Sequence, residues 1–186
     1  MSTRLIVSPA ELAVSMAAAR RAARVDVDAD GTSPLDDDIA REVRAYTRDA
    51  EHKTGRAFVT QTWEVTLDSF LEAIQLPKAP IASVVHVKFY DTSGALQTLD
   101  PKHYLVDAMS EPGYIVPAPG KAWPATQARI NAVEVQFTCG YGPAEVDVPD
   151  EVKSYILARV QQYFSPVPNA KEGNFERLLD GLVVYL

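Results

Sequence analysis

Cysteine is almost absent from this chain. Cys139 stands alone among 186 residues, so no intrachain disulfide can form, and the thiol content does not point to an oxidising compartment. Histidine is nearly as scarce: His52, His86 and His103 contain no i, i+4 pair of the kind a helical zinc site uses, and one thiol cannot build a thiolate site. His52 falls near a helix end, and His86 reads as a half-buried neutral side chain in a strand. No apolar run approaches the roughly 20 residues that span a bilayer, and Met1–Val7 has neither a long apolar stretch nor a small-residue cleavage site. A soluble protein made in a reducing cytoplasm is expected. There is no Gly-x-Ser-x-Gly elbow, and Gly140-Tyr141-Gly142 lacks the lysine and following helix of a phosphate loop. No spacing selects a carboxylate pair from the 25 acidic residues. No catalytic residue, metal or cofactor is expected.

Basic charge is also in deficit. The net charge of −7 has the wrong sign for a protein that grips DNA through its phosphates. It suits a surface past which DNA slides, and equally it suits simple solubility.

What is present is ordinary globular material, 47% apolar and 23% charged. A chain of this length buries roughly 70% of its unfolded surface, enough for a core without staples. Ser8-Pro9-Ala10-Glu11 reads as a capping box opening a helix that runs through Leu12–Arg24, with Arg20, Arg21 and Arg24 in its last turns. Ser33-Pro34 starts a second helix. Asp36, Asp37 and Asp38 fall in its first turn, Leu35, Ile39, Val43, Tyr46 and Ala50 mark its buried face, and Gly55 is its stop.

From Phe58 the pattern turns to alternation and β-branched residues. Strands are expected at 60–67, 73–76, 84–90, 95–99, 104–106, 114–116 and 132–138, with a hairpin turn at Asp91-Thr92-Ser93-Gly94. Helix returns after Pro149, with Val152, Tyr155, Ile156, Arg159, Val160 and Tyr163 on one face. Residues 165–173 read as a loop. A short helix through Phe175, Leu178 and Leu179 ends at Gly181, and an apolar tail, Leu182–Leu186, follows. The expected fold is α+β: a helical core of residues 1–57 and 143–186, with residues 58–142 inserted as an antiparallel region of short strands.

Two constellations suggest ligands. Asp26, Asp28, Asp30, Gly31 and Asp37 occupy positions one, three, five, six and twelve of a calcium loop, but Ser33 and Pro34 fall where that loop needs other residues and the second helix starts inside it. A solvated acidic linker that caps the next helix is the simpler reading. Trp63, Tyr90, Tyr104, Tyr114 and Trp123 would stack on sugars or bases if they shared an exposed face, but in short strands they more often fill a thin core. The stacking alternative gives a runner-up function: a β module that binds carbohydrate or a host surface through its aromatics.

The order of segments resembles the head–tail connector (adaptor) proteins of tailed bacteriophages and phage-like gene transfer particles. The resemblance lies in Gly55–Asp68, Leu76–Val84, Tyr104–Asp107, Pro112–Pro117, Trp123-Pro124, Val133–Gly142 and Val148–Lys153, and extends from Ser8 to about Val184. The chain departs from the family in its longer acidic loop, Asp26–Asp38, and in its tail.

The resemblance implies a structural virion protein without catalysis, assembled in the host cytoplasm. Identical subunits, commonly twelve, form a ring docked on the portal protein. DNA passes through the ring without sequence-specific binding, a stopper or tail-side protein docks beneath it, and no membrane is involved. The tail, Leu182, Val183, Val184, Tyr185 and Leu186, is the expected portal contact, added to a partner's sheet edge. Because rings repeat one heterologous contact, Arg20, Arg21 and Arg24 are expected to meet the aspartate-rich segment of a neighbouring subunit.

Overall fold

In the computed structural model, which describes residues 1–165 and 175–184, the chain has an α+β fold. It divides into two compact units. The first holds Met1–Ser8, Thr60–Gly140 and Val184, and the second holds Pro9–Val59 with the described residues of Tyr141–Val183.

The second unit is helical. Helix α1 spans Met16–Ala23, later than the sequence suggested: Ser15, not Ser8, is its cap, accepting from the Ala18 N–H at 3.3 Å. Residues 8–14 are bends and irregular backbone, although Ala13 and Val14 are buried. Arg24 ends the helix in the left-handed conformation. Helix α2, Asp36–Thr54, follows the expected pattern, with three aspartates in the first turn and Gly55 at φ 71° donating its N–H to the Glu51 carbonyl. Its buried stripe is Ile39, Val43, Thr47, Ala50, Glu51 and Thr54, while Leu35 stays outside. Helix α3, Asp150–Phe164, buries Val152, Tyr155, Ile156 and Val160, and exposes Tyr163. One core gathers these faces around Phe58 and Val59, and Leu179 of the 3-10 segment Phe175–Leu182 closes it.

The first unit is built from two antiparallel sheets. Strands β1 (Ser2–Val7), β2 (Gln61–Leu67), β4 (Ile81–Tyr90), β5 (Leu96–Thr98) and β8 (Val133–Cys139) form one, in the order β1-β2-β8-β4-β5. Strands β3 (Ile74–Leu76), β6 (Tyr104–Asp107) and β7 (Gly113–Pro117) form the other, in the order β3-β7-β6. The sequence reading assigned no element to residues 2–7, yet they are an edge strand.

In the larger sheet the period-two alternation sorts residues cleanly. Val65, Leu67, Val87, Phe89, Val133, Val135, Phe137 and Cys139 are buried on one face, with Val65 opposite Val135 and Leu67 opposite Val133. In the smaller sheet Ile74, Leu76 and Ile115 are buried. Gly113 marks a close approach, since a Cβ there would lie 2.7 Å from Ile81 Cγ1 and 2.9 Å from the Asp107 carbonyl oxygen. The Asp91–Gly94 turn is as expected: Gly94 has φ 87°, and the Asp91 carboxylate accepts from Ser93 N, Ser93 Oγ, Ala95 N and Gln97 Nε2. Those bonds hold the Asp91 carboxyl down to about 2.

Candidate functional site

The three arginines picked from the sequence do not act alike. Arg20 is tied within its own chain. Its guanidinium forks onto Asp36 at 2.7 and 2.5 Å and donates to the Gly31 carbonyl at 2.6 Å. The acidic linker thus meets the arginine helix in cis, and the bond to Arg20 holds the Asp36 carboxyl below its ordinary range against a smaller opposing effect of burial. Arg21 and Arg24 are exposed.

The linker folds as a turn: Asp28 N donates to the Thr32 carbonyl, Gly31 N to the Asp28 carbonyl, and the Asp30 carboxylate accepts from Thr32 N and Oγ1. Its aspartates do not converge as a ligand cluster among the described residues.

The tail begins anchored. Arg56 Nε donates to the Leu182 carbonyl at 2.6 Å, Val183 is half-buried and Val184 is buried. Tyr185 and Leu186 lie outside the described residues.

The aromatics are engaged internally. Trp123 stacks on Phe70 with centroids 4.7 Å apart, and Phe70 meets Phe89 at 5.6 Å. Trp63 is half-buried, donates to Gln61 Oε1 at 3.0 Å and carries Lys78 over its ring. Tyr104 is buried.

A charged clamp holds the helical unit. Tyr155, fully buried along its ring, donates to Asp49 Oδ2. Lys53 Nζ lies 3.0 Å from the same oxygen, 3.2 Å from the Tyr155 hydroxyl and 2.7 Å from Glu176 Oε1. Burial works against the Asp49 carboxylate, but bonds from Tyr155 and Lys53 outweigh it and keep that carboxyl below its ordinary range. Burial likewise opposes the Lys53 charge, and Glu176, Asp49 and Tyr155 more than offset it. The buried Glu51 carboxylate accepts from Phe58 N at 3.0 Å.

The sequence reading missed the polar face of the larger sheet. Arg4, Glu64, Gln136 and His86 lie in one transverse row, each opposite the next across β1, β2, β8 and β4. Ser2, Thr66, Glu134, Lys88 and Thr98 form the next row. Arg4 Nε donates to Glu64 Oε1 at 2.6 Å, and His86 Nε2 lies 3.0 Å from Glu134 Oε1. The Glu64 side chain is 3% exposed, whereas Arg4 is 67% exposed.

A bulge puts His86 there. Val84 opposes Phe137 and His86 opposes Gln136, so Val85 is the extra residue, and it is left exposed. Beside the row an open cavity of about 360 Å³ is lined by Arg4, Glu64, Thr66, Lys88, Tyr90 and Glu134, among others. Arg129 stacks over Tyr90 at its rim, 3.8 Å from the ring centroid. Alternation alone would have flagged Glu64 and Glu134, but the bulge that brings His86 to them leaves no mark in the sequence.

No family model matches the chain, and no curated protein matches it by sequence. Its fold is shared with solved chains of gene transfer agent (GTA) particles. A chain in the neck of an empty GTA particle computed with C6 symmetry matches with a TM-score of 0.82 and 18% identity, over 100% of this chain and 97% of that one. A chain in the virion of a native GTA particle matches at 0.80 and 18%, and one in the neck of a native particle computed with C12 symmetry at 0.71 and 19%, with the same coverage. At these identities the likeness is one of fold.

Proposed function

We propose that this chain is a structural subunit of the neck of a tailed phage or gene transfer particle, a head–tail adaptor that forms a ring under the portal, extends the DNA channel and carries the stopper or tail-side protein. The observation that carries the reading is end-to-end agreement: both units, including β1, superpose on neck chains with 97% of those chains accounted for. The symmetries under which those necks were computed are compatible with a ring of twelve.

On this reading the protein makes no bond and breaks none. It works by repeated surface contact, and its net negative charge lets DNA pass without adhesion. Arg21 of α1 and Arg24 at its C-terminal cap are the exposed cations that a neighbouring subunit would meet, Arg20 being held by Asp36. Residues 182–186 would reach the portal, which requires Val184 to leave its buried place.

The test is assembly. The purified chain mixed with portal rings should form a portal-bound ring countable by electron cryomicroscopy, and particles made without the gene should lack tails. Arg21→Glu with Arg24→Glu should lower ring occupancy, with the fold, read by circular dichroism, unchanged. Truncation after Leu182 should lower portal binding. Particles that contain no trace of this polypeptide would defeat the proposal.

A further inference from the structure

The geometry points to a divalent metal site of the zinc class on the polar face of the larger sheet, with Glu64, His86 and Glu134 as ligands. Each side chain comes from a different strand, β8 pairing with both β2 and β4, so the backbone holds all three in fixed register. One ligand atom from each lies within 4.8 Å of the other two.

Ligands bound to one zinc-like ion at about 2.0–2.2 Å stand roughly 3.3–3.5 Å apart in a tetrahedron. The His86 Nε2 to Glu134 Oε1 separation is 3.0 Å and the three donor atoms lie within 4.8 Å of one another, so binding requires the side chains to rotate onto a common centre. An imidazole with two carboxylates is a donor set of borderline hardness that favours zinc, manganese or cobalt over calcium, whose sites are all-oxygen.

Two further features favour an ion. The first is the bulge at Val84–His86. A regular ladder would have put Val85 opposite Gln136 and turned His86 toward the core; the inserted residue instead leaves an apolar Val85 half in solvent and aims the imidazole at the two carboxylates. The second is Glu64, a carboxylate with almost no exposure whose cationic partner, Arg4, sits on an edge strand with its side chain largely in solvent. Arg4 can swing into solvent, and an incoming cation would take over its compensation of the buried Glu64 charge. The cavity bordered by Glu64 and Glu134 provides room for the water that would complete the coordination shell.

On this account Arg4 is a competitor: it occupies Glu64 when no ion is bound and swings out when one is. The ligands must be deprotonated, so binding weakens as pH falls. The site is internal to one chain and independent of ring formation, so it is tested on the isolated subunit, where its failure would leave the assembly reading untouched.

The experiment is titration of the full chain with zinc chloride by calorimetry and with cobalt chloride by visible absorption, in parallel with His86→Gln, Glu134→Gln, Arg4→Ala and a control His52→Gln/His103→Gln variant. The expected result is one equivalent bound, with cobalt absorption of a low-coordinate site. Affinity should fall at least about tenfold in His86→Gln and Glu134→Gln, stay unchanged in the control, and rise severalfold in Arg4→Ala. The Arg4 variant keeps the test decisive even if the strand variants fold poorly, because it removes none of the three ligands and its own side chain lies largely in solvent. Absence of a one-equivalent site, loss of binding in the control, or weaker binding in Arg4→Ala would each overturn the proposal.

Discussion

The two units handle charge in opposite ways. In the helical unit the ionic groups tie the elements together: Asp49 and Lys53 meet at the Tyr155 hydroxyl, Glu176 joins Lys53 from the surface, and Arg56 draws in the Leu182 carbonyl. In the sheet unit alternation drives Glu64, Lys88 and Glu134 of β2, β4 and β8 to one face, where a bulge adds His86. A helix bundle has no single polar face on which to collect charge, whereas a sheet with one buried side has nowhere else to put it. Ionic contacts in the helical unit therefore serve cohesion, whereas those of the sheet unit form the site proposed for a metal ion.

The largest test of this contrast is core truncation. Phe58→Ala and Phe137→Ala each remove a fully buried ring and should cost about 3–5 kcal/mol. Both tryptophans lie in the sheet unit. Phe137→Ala should therefore move the fluorescence-detected urea transition, and Phe58→Ala the helical circular dichroism transition. Identical shifts of both signals in both variants would mean that the two regions melt as one.

Next is Gly113→Ala, whose methyl group would crowd Ile81 and the Asp107 carbonyl. A loss of about 1–3 kcal/mol is expected, confined to the fluorescence transition.

Third is the clamp. Tyr155→Phe should cost about 1–2 kcal/mol at neutral pH. Because the Asp49 carboxyl is lowered in the folded state, its contribution is present above the unfolded carboxyl range near 3.9 and fades as pH falls through the lower folded value. The gap between wild type and Tyr155→Phe should accordingly close on acidification; a gap constant down to pH 2 would separate the hydroxyl from the carboxylate.

The smallest effect is expected at Asp91. Its carboxyl should titrate near 2 by carbon-detected NMR, and Asp91→Asn should loosen the β4–β5 turn, read as faster amide exchange at Ser93 and Ala95, with the cores untouched.

Legibility follows the range of the signal. Helices α2 and α3 were visible because an apolar stripe every three to four residues and a terminal glycine are local. The helix at Ser8 was misplaced because Ser8-Pro9-Ala10-Glu11 and Ser15 offer rival caps, and only the burial of Ala13 and Val14 outside the helix decides between them. Strand β1 was hidden because an edge strand with one pairing partner shows little burial, and its partner lies some sixty residues away. The bonds of Arg20 to Asp36 and to the Gly31 carbonyl were not legible, since sequence order does not reveal that the linker turns back onto it.

The amino-acid sequence by itself determined the α+β class, the places where period 3.6 gives way to period two, and the absence of a thiol framework; these rest on composition and on neighbours within a turn or a hairpin. Only the tertiary structure decided the order of strands, the position of the bulge before His86 and the meeting of Glu64, His86 and Glu134. Those depend on register between segments far apart in the chain, which non-local backbone pairing sets and local propensity does not encode.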